Sequence, residues 1–279
     1  MPSPLAINTN LGSITAQKHL GTSSANLQTA IERLSSGLRL NSSSDDAAGM
    51  AVSTGLRAQL GGYQQASRNA NDAVAIMNTA EGGLNTISDT LIRMRELAVQ
   101  AASDGITDTE RAYIETEFDD LRAEIDRVSN VTEYNGINLL DGTAGTAGAV
   151  AFQVGTRNTA NDRVTVTLVD MDASALGVVS TVTVSTLGGA QSAIGTLDAG
   201  IATLSTHRAT IGSTINTLEG AVSNLGNTIQ NISQAVSQIR DADLAQESAA
   251  FASAMVLQQA GVAMLAQANQ APSLALRLL

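Results

Sequence analysis

The sequence contains no cysteine and no tryptophan. The first absence removes disulfides, thiol nucleophiles and cysteine-based metal centres, and fits any compartment, including an extracellular one reached without oxidative folding. Phe and Tyr number only three each, so the aromatic side chains that usually dominate compact cores are scarce. The 43% of apolar residues are mostly Ala, Leu, Ile and Val, a mixture suited to long helices packed along their lengths. Lysine occurs once, as Lys18, among 15 basic residues, and the formal net charge is −11. There is no basic stripe for nucleic acid and no polybasic segment for anionic lipid. No uninterrupted run of about 18 apolar residues is present to span a bilayer. The opening MPSPLAINTN lacks the positive and apolar segments of a secretory signal, so export from the cell is expected to cleave nothing.

Chemistry-bearing constellations are missing too. The two histidines, His19 and His207, have no His-Glu-x-x-His context for a metalloprotease zinc and read as surface or interface residues. Asp45-Asp46 and Asp241-Ala242-Asp243 have no neighbouring His or Gly-rich loop. They read as helix caps and as pairing partners for Arg33, Arg39 or Arg240, rather than as acid–base pairs. Gly82-Gly83 and Gly188-Gly189 match no phosphate-binding fingerprint. No catalytic, cofactor or metal residue is expected, and an enzyme is the least favoured class.

What is present is heptad order. Stepping alternately by three and four from Ile194 passes Leu197, Ile201, Leu204, Arg208, Ile211, Ile215, Leu218, Val222, Leu225, Ile229, Ile232 and Val236 to Ile239, with only Arg208 polar. A seam kept over that span predicts about 69 Å of helix at 1.5 Å per residue. Met77, Ala80, Leu84, Ile87, Leu91, Met94 and Ala98 keep the same spacing, with Leu56, Leu60 and Tyr63 earlier. Ile114, Phe118, Leu121, Ile125 and Val128 form a third seam after a stop at Ser103-Asp104-Gly105. Thr107 and Asp108 are placed to cap that restart, with Glu110 and Glu115 near its positive end. Residues 142–192 differ: Arg163–Leu168 and Thr181–Val184 alternate as strands do, which predicts a short β-hairpin. The first 40 residues carry the stripe Leu27, Ile31, Leu34 and Leu38 and stop near Gly37, before the polar Asn41–Asp46 linker and cap.

The expected fold is therefore mainly α: a long antiparallel coiled-coil-like helical rod with paired terminal helices and a small β-hairpin region. Its parts are terminal helices at 1–44 and 238–279, a rod at 45–141 and 190–237, and a short variable hairpin region at 142–189. Ala250–Leu279 is the least ordinary stretch. No charged residue falls between Glu247 and Arg277, yet Gln258, Gln259, Gln267, Asn269 and Gln270 interrupt it, which makes membrane insertion costly. Ordering a lone terminal helix costs about 1–2 kcal/mol per residue of backbone, so order is expected only where copies of the chain meet.

Four segments carry a resemblance to a known family. SSANLQTAIERLSSGLRLNSSSDDAAGMAVSTGLRAQ, LIRMRELAVQAA, EIDRVSNVTEYNGINLLDG and IRDADLAQESAAFASAMVLQQAGVAMLAQANQAPSLALRLL closely resemble bacterial flagellin, over roughly residues 1–142 and 205–279. The short middle implies a form without the large outer domains of longer members. The resemblance implies an extracellular filament for swimming, with terminal helices lining an inner tube and the rod forming an outer one. Leu27, Ile31, Leu34, Leu38, Met255, Leu257, Val262 and Leu265 become the expected polymerisation interface. The implied partners are other copies of the chain, the flagellar type III export apparatus, an export chaperone, and filament cap and hook-junction proteins.

Arg93, Glu96, Leu97 and, on the next helix, Glu117 resemble a patch that a vertebrate Toll-like receptor reads on some members, although packing is the main expected role there. Ser and Thr between 156 and 186 read as plain exposed hydroxyls. Two departures from the family pattern, the Leu278-Leu279 end and His207-Arg208-Ala209-Thr210, leave polymerisation intact as the expectation. The alternatives are a hook–filament junction protein and, in a different class, a membrane-active secreted effector.

Overall fold

A computed structural model describes residues 9–276, with side chains described for 9–270. The opening MPSPLAIN and the closing Arg277-Leu278-Leu279 lie outside the described residues. The fold is mainly α. Five helices, α1 (Leu11–Ser36), α2 (Ala47–Ala101), α3 (Asp108–Val131), α4 (Leu187–Arg240) and α5 (Leu244–Leu276), accompany strands β1 (Glu133–Tyr134), β2 (Ile137–Asn138), β3 (Ala149–Gln153) and β4 (Arg163–Thr167). No proline stands between residues 5 and 271, so nothing removes a ladder hydrogen bond from α2, α3 or α4. The chain divides into two compact units, one of residues 1–58 with 231–279 and one of residues 59–230. These boundaries fall inside α2 and α4, not at the linkers near 44 and 238.

The larger unit has a single hydrophobic core. Along α2, Ala66, Ala70, Ala73, Met77, Ala80, Leu84, Ile87, Leu91, Met94, Ala98 and Ala101 are buried, an unbroken alternation of three and four. Ile114, Phe118, Ile125 and Val128 of α3 and Leu197, Leu204, Ile211 and Leu218 of α4 close on it. Arg208, the polar break in the α4 seam, sends its guanidinium to Glu81 at 2.7 Å and to Asn85 at 3.2 Å on α2. It is therefore satisfied at the edge of the seam. Sequence reasoning overlooked Arg111. This side chain is buried, donates to the carbonyls of Ala101 and Ser103 at 2.8 Å and pairs with Asp108 at 2.9 Å. A cation there satisfies orphan carbonyls where α2 ends and complements its dipole.

The β region departs from the expected hairpin. Arg163–Thr167 is a strand, but its antiparallel partner is Ala149–Gln153, with Val150 opposite Val166. Thr181–Val184 forms no strand. Its alternation is spent otherwise: Val184 and, upstream, Leu176 and Val178 are buried in the core. The carboxylates of Asp126 and Glu115 on α3 accept the backbone N–H groups of Ala173 and Val184, donors that a ladder would otherwise need. A second hairpin, β1–β2, turns on Asn135 (φ 52°) and Gly136 (φ 76°). Positive φ at both central residues is the type I′ requirement that Asn-Gly meets.

Two acidic side chains hold the chain at helix starts. Thr107 caps α3 in a full capping box with Glu110, and Asp45 accepts the N–H groups of Ser42 and Asn41 at 2.9 and 3.1 Å. These donors pull both carboxyls below their ordinary range, Asp45 chiefly through the Ser42 N–H and Glu110 chiefly through the Thr107 N–H. A depressed folded-state pKa stabilises above the unfolded value of about 4 and loses that contribution as pH falls through the folded value. The thermal midpoint should therefore drop between about pH 5 and about pH 3 more in the native chain than in Asp45→Asn/Glu110→Gln. Equal drops would show that neither group contributes.

Candidate assembly surface

In the smaller unit α1 and α5 run antiparallel. Asn10 Nδ2 donates to the Ala268 carbonyl at 2.8 Å, Ser23 Oγ to the Ala254 carbonyl at 3.2 Å, and Arg33 Nη1 reaches Glu247 at 3.1 Å. The covered positions on α1 are Ser13, Ala16, Leu20, Ser23, Leu27, Ala30 and Leu34, and on α5 Glu247, Phe251, Ala254, Gln258, Gly261, Leu265 and Ala268. Both follow heptad spacing, but the fully buried positions, Ser13, Ser23, Ala30 and Ala254, are all small. Small side chains let the backbones approach: a Cβ on Gly261 would sit 3.2 Å from Leu20 Cδ1. Both terminal segments are thus helical and paired, as expected of the terminal helices. The partner that a lone helix lacks is the other terminus.

The seam leaves large apolar side chains outside. Met255, Val256, Leu257, Val262 and Met264 are between 44% and 66% exposed, and Leu11, Ile14 and Ile31 on α1 are exposed as well. An amphipathic surface helix carries one apolar stripe facing the core, whereas α5 is apolar on its inner and outer faces alike. By length and composition α5 could cross a bilayer, but its interrupting amides would go unsatisfied there.

The expected interface residues fall into four groups. Leu27, Leu34 and Leu265 are half-buried on the seam itself. Ile31, Met255 and Val262 share one flank, the one on which Gln258 Nε2 donates to Ser24. Leu257 lies on the other flank, in a groove of about 770 Å³ that Leu11, His19, Leu20 and Met264 also line. Leu38 is past the end of α1, bridged to Asp241. Asp46 caps α2 through the Gly49 N–H and Asp243 caps α5 through Ala245 and Gln246. Arg39 donates to the Ile239 carbonyl at 2.7 Å.

The patch resembling a receptor site needs correcting. Leu97 is 2% exposed, inside the core, because its heptad position faces α2's partners. Arg93 bridges to Glu117 at 2.7 Å and to Glu96 at 3.1 Å, and Glu117 before Glu96 holds its guanidinium more firmly protonated. The three charged side chains join α2 to α3.

Comparison with known proteins agrees with this geometry. Residues 7–145 match the bacterial flagellin N-terminal helical region and residues 194–279 the bacterial flagellin C-terminal helical region. A flagellin of Halalkalibacterium halodurans is 40% identical over 99% of this chain and 100% of its own length. A flagellar filament 33 kDa core protein of Treponema phagedenis is 37% identical over the same shares. The crystal structure of Bacillus cereus flagellin superposes with a TM-score of 0.50 at 30% identity, covering 57% of this chain and 88% of that one. A Vibrio parahaemolyticus structure described as a flagellar hook-associated protein gives a TM-score of 0.58 at 17% identity, covering 71% and 100%, a likeness of fold alone. With paired terminal helices, heptad seams and whole-length identity all in agreement, the chain belongs to the bacterial flagellin family.

Proposed function

We propose that this chain builds the flagellar filament by stacking copies through the outward faces of its α1–α5 pair. The chain is a structural subunit of that filament. The observation that carries the assembly reading is the set of large apolar side chains that α5 leaves bare outside its seam. Burying apolar surface yields about 25 cal/mol per Å², and a second copy offers the same composition. The contact must be heterologous, one face meeting a different face of the next copy, since that geometry extends without closing. The hook-associated likeness extends only to fold, whereas the identity to flagellins runs the whole length, which favours the filament over the junction.

The purified chain is expected to grow long fibres from seeds in the electron microscope. Short rings would favour a junction protein, and leakage of liposomes without fibres a membrane-active one. The place of work is outside the cell, and the N-terminal segment is the export address for the flagellar type III apparatus. A chaperone covering α5 follows from its bare apolar face. Deleting residues 2–40 should abolish the extracellular protein while leaving it inside the cell. Undiminished secretion would sink the export assignment.

A further inference from the structure

We infer that Arg33 and Glu247 act as positioning residues that fix the rotational phase of α1 against α5, so that the large apolar side chains stay outward for assembly. The inference rests on the proposed role of this helix pair in polymerisation. Its starting point is that the helix pair leaves outside apolar side chains as large as those it covers. The observed phase fully buries Ser23, Ala30 and Ala254, with Leu20, Leu27, Leu34, Phe251, Gly261 and Leu265 half-covered around them. Turning each helix by one flank would bring Ile31, Leu257 and Met264, now exposed, to the seam. Apolar burial alone does not fix the observed phase, since both arrangements enclose large apolar side chains. A single chain that adopted the turned arrangement would have spent on itself the side chains that a neighbour needs.

Polar contacts oppose that rotation. Glu247 stands at a seam position with its side chain 13% exposed, and Arg33 flanks the seam at 29%. Turned by one flank, the carboxylate would lose the guanidinium and the apolar seam would close over one of the two charges. Asn10 to Ala268, Ser23 to Ala254 and Gln258 to Ser24 hold the same phase. The pair is not arranged for greatest stability: among the described residues, Arg33 Nε is buried without a hydrogen-bond partner. Replacing such a pair with apolar residues is often neutral or stabilising, while polar seam residues can specify the arrangement of paired helices. The pair trades strength for a defined outward face.

The absence of native cysteine gives a clean readout. In the full chain, Ser23→Cys/Ala254→Cys reports the observed phase, because these positions touch. Ser24→Cys/Ser253→Cys reports the turned phase, because Ser24 faces Gln258 on one flank while Ser253 lines the opposite groove with Asn26 and Arg33. Each pair is oxidised with glutathione disulfide, in the soluble chain and in whatever polymer forms. With the native ion pair only the 23–254 bond should form. Arg33→Met/Glu247→Met should keep or raise helical content, admit the 24–253 bond, and elongate native seeds at least tenfold more slowly. The charge-reversed pair Arg33→Glu/Glu247→Arg should restore both the 23–254 bond and elongation to within about threefold.

Native-rate elongation by the Met/Met chain with the 23–254 bond alone would overturn the inference. So would a fall in its helical content, since the pair would then be an ordinary stabiliser, or failure of the reversed pair to rescue. The assembly reading has a separate test: a chain lacking Met255–Leu279 that still elongates overturns that reading, whatever the cysteines report.

Discussion

Leu218→Asp is expected to lower the thermal midpoint of the soluble chain by about 10 °C. Leu218 is 0% exposed and belongs to the core that α2, α3 and α4 share. The substitution removes roughly 2 kcal/mol of apolar burial and places a carboxylate where no cation is available, so the sum is about 4 kcal/mol. Among the described residues, the α4 cations are Arg208, ten positions earlier and engaged with Glu81, and Arg240, which lies in the other unit. Relief by a local ion pair is therefore not available. Thr217→Asp is the control, since its neighbour position is exposed and the midpoint should move by no more than about 2 °C. Equal effects at 217 and 218 would show that the heptad phase of α4 is wrong. The readout is calorimetry or circular dichroism of the monomer, where assembly does not contribute.

That phase was legible before any coordinates because large apolar residues recur at a fixed interval for many turns, and a one-residue error would put all of them in water. The same reasoning located the α3 cap, where Thr107 and Glu110 form a local motif that needs no distant partner. It failed in the β region for the opposite reason. Alternating valines at 181–184 fit either a strand or a strap lying in a core groove. The choice was made by carboxylates on α3, many residues away in sequence. Leu97 was misplaced on the surface because a motif was carried over as a string, without asking which of its members the heptad turns inward. Asn135-Gly136 is a turn signal that the dipeptide itself carries, since both residues take positive φ.

The terminal pair was half legible. The stripe Leu27, Ile31, Leu34 and Leu38 singled out the largest apolar side chains of α1 as one contact face. The structure divides them: Leu27 and Leu34 on the seam, Ile31 exposed, Leu38 beyond the helix end. In a globular core the largest side chains define the inside, and that habit misreads a chain whose inside is completed by other copies. Here the fully buried residues of the contact within the chain are small, and many of the large ones stand exposed beside it. The whole of α5 was visible as apolar and amide-bearing, but its inward face, carrying Ala254 and Gly261, does not stand out in a helix apolar on every side.

The second large effect is on growth. A chain lacking Met255–Leu279 should keep the core of residues 59–230 and lose the ability to elongate filaments. None of the buried members of that core lies after Leu218, so its cooperative unfolding should occur at nearly the native temperature. Helical dichroism should fall only by the share of the deleted part of α5 and of α1, left without most of its seam partner. Elongation is different, because Met255, Val256, Leu257, Val262 and Met264 leave together. Each is about half exposed in the single chain, and full burial of such a side chain is worth about 1.5–3 kcal/mol. Covering the exposed halves in the polymer would contribute about 5 kcal/mol per subunit before ordering costs. Losing that corresponds to about a thousandfold or more in the concentration needed for growth, which stops extension of native seeds at concentrations where the full chain grows. Seeded elongation followed by light scattering, with dichroism on the same samples, reads both halves of the prediction. A truncated chain that extends seeds at the native rate would remove α5 from the polymer contact. One that unfolds throughout would show α5 to be part of the core, and either result refutes the division of labour between a folded body and an assembling pair of ends.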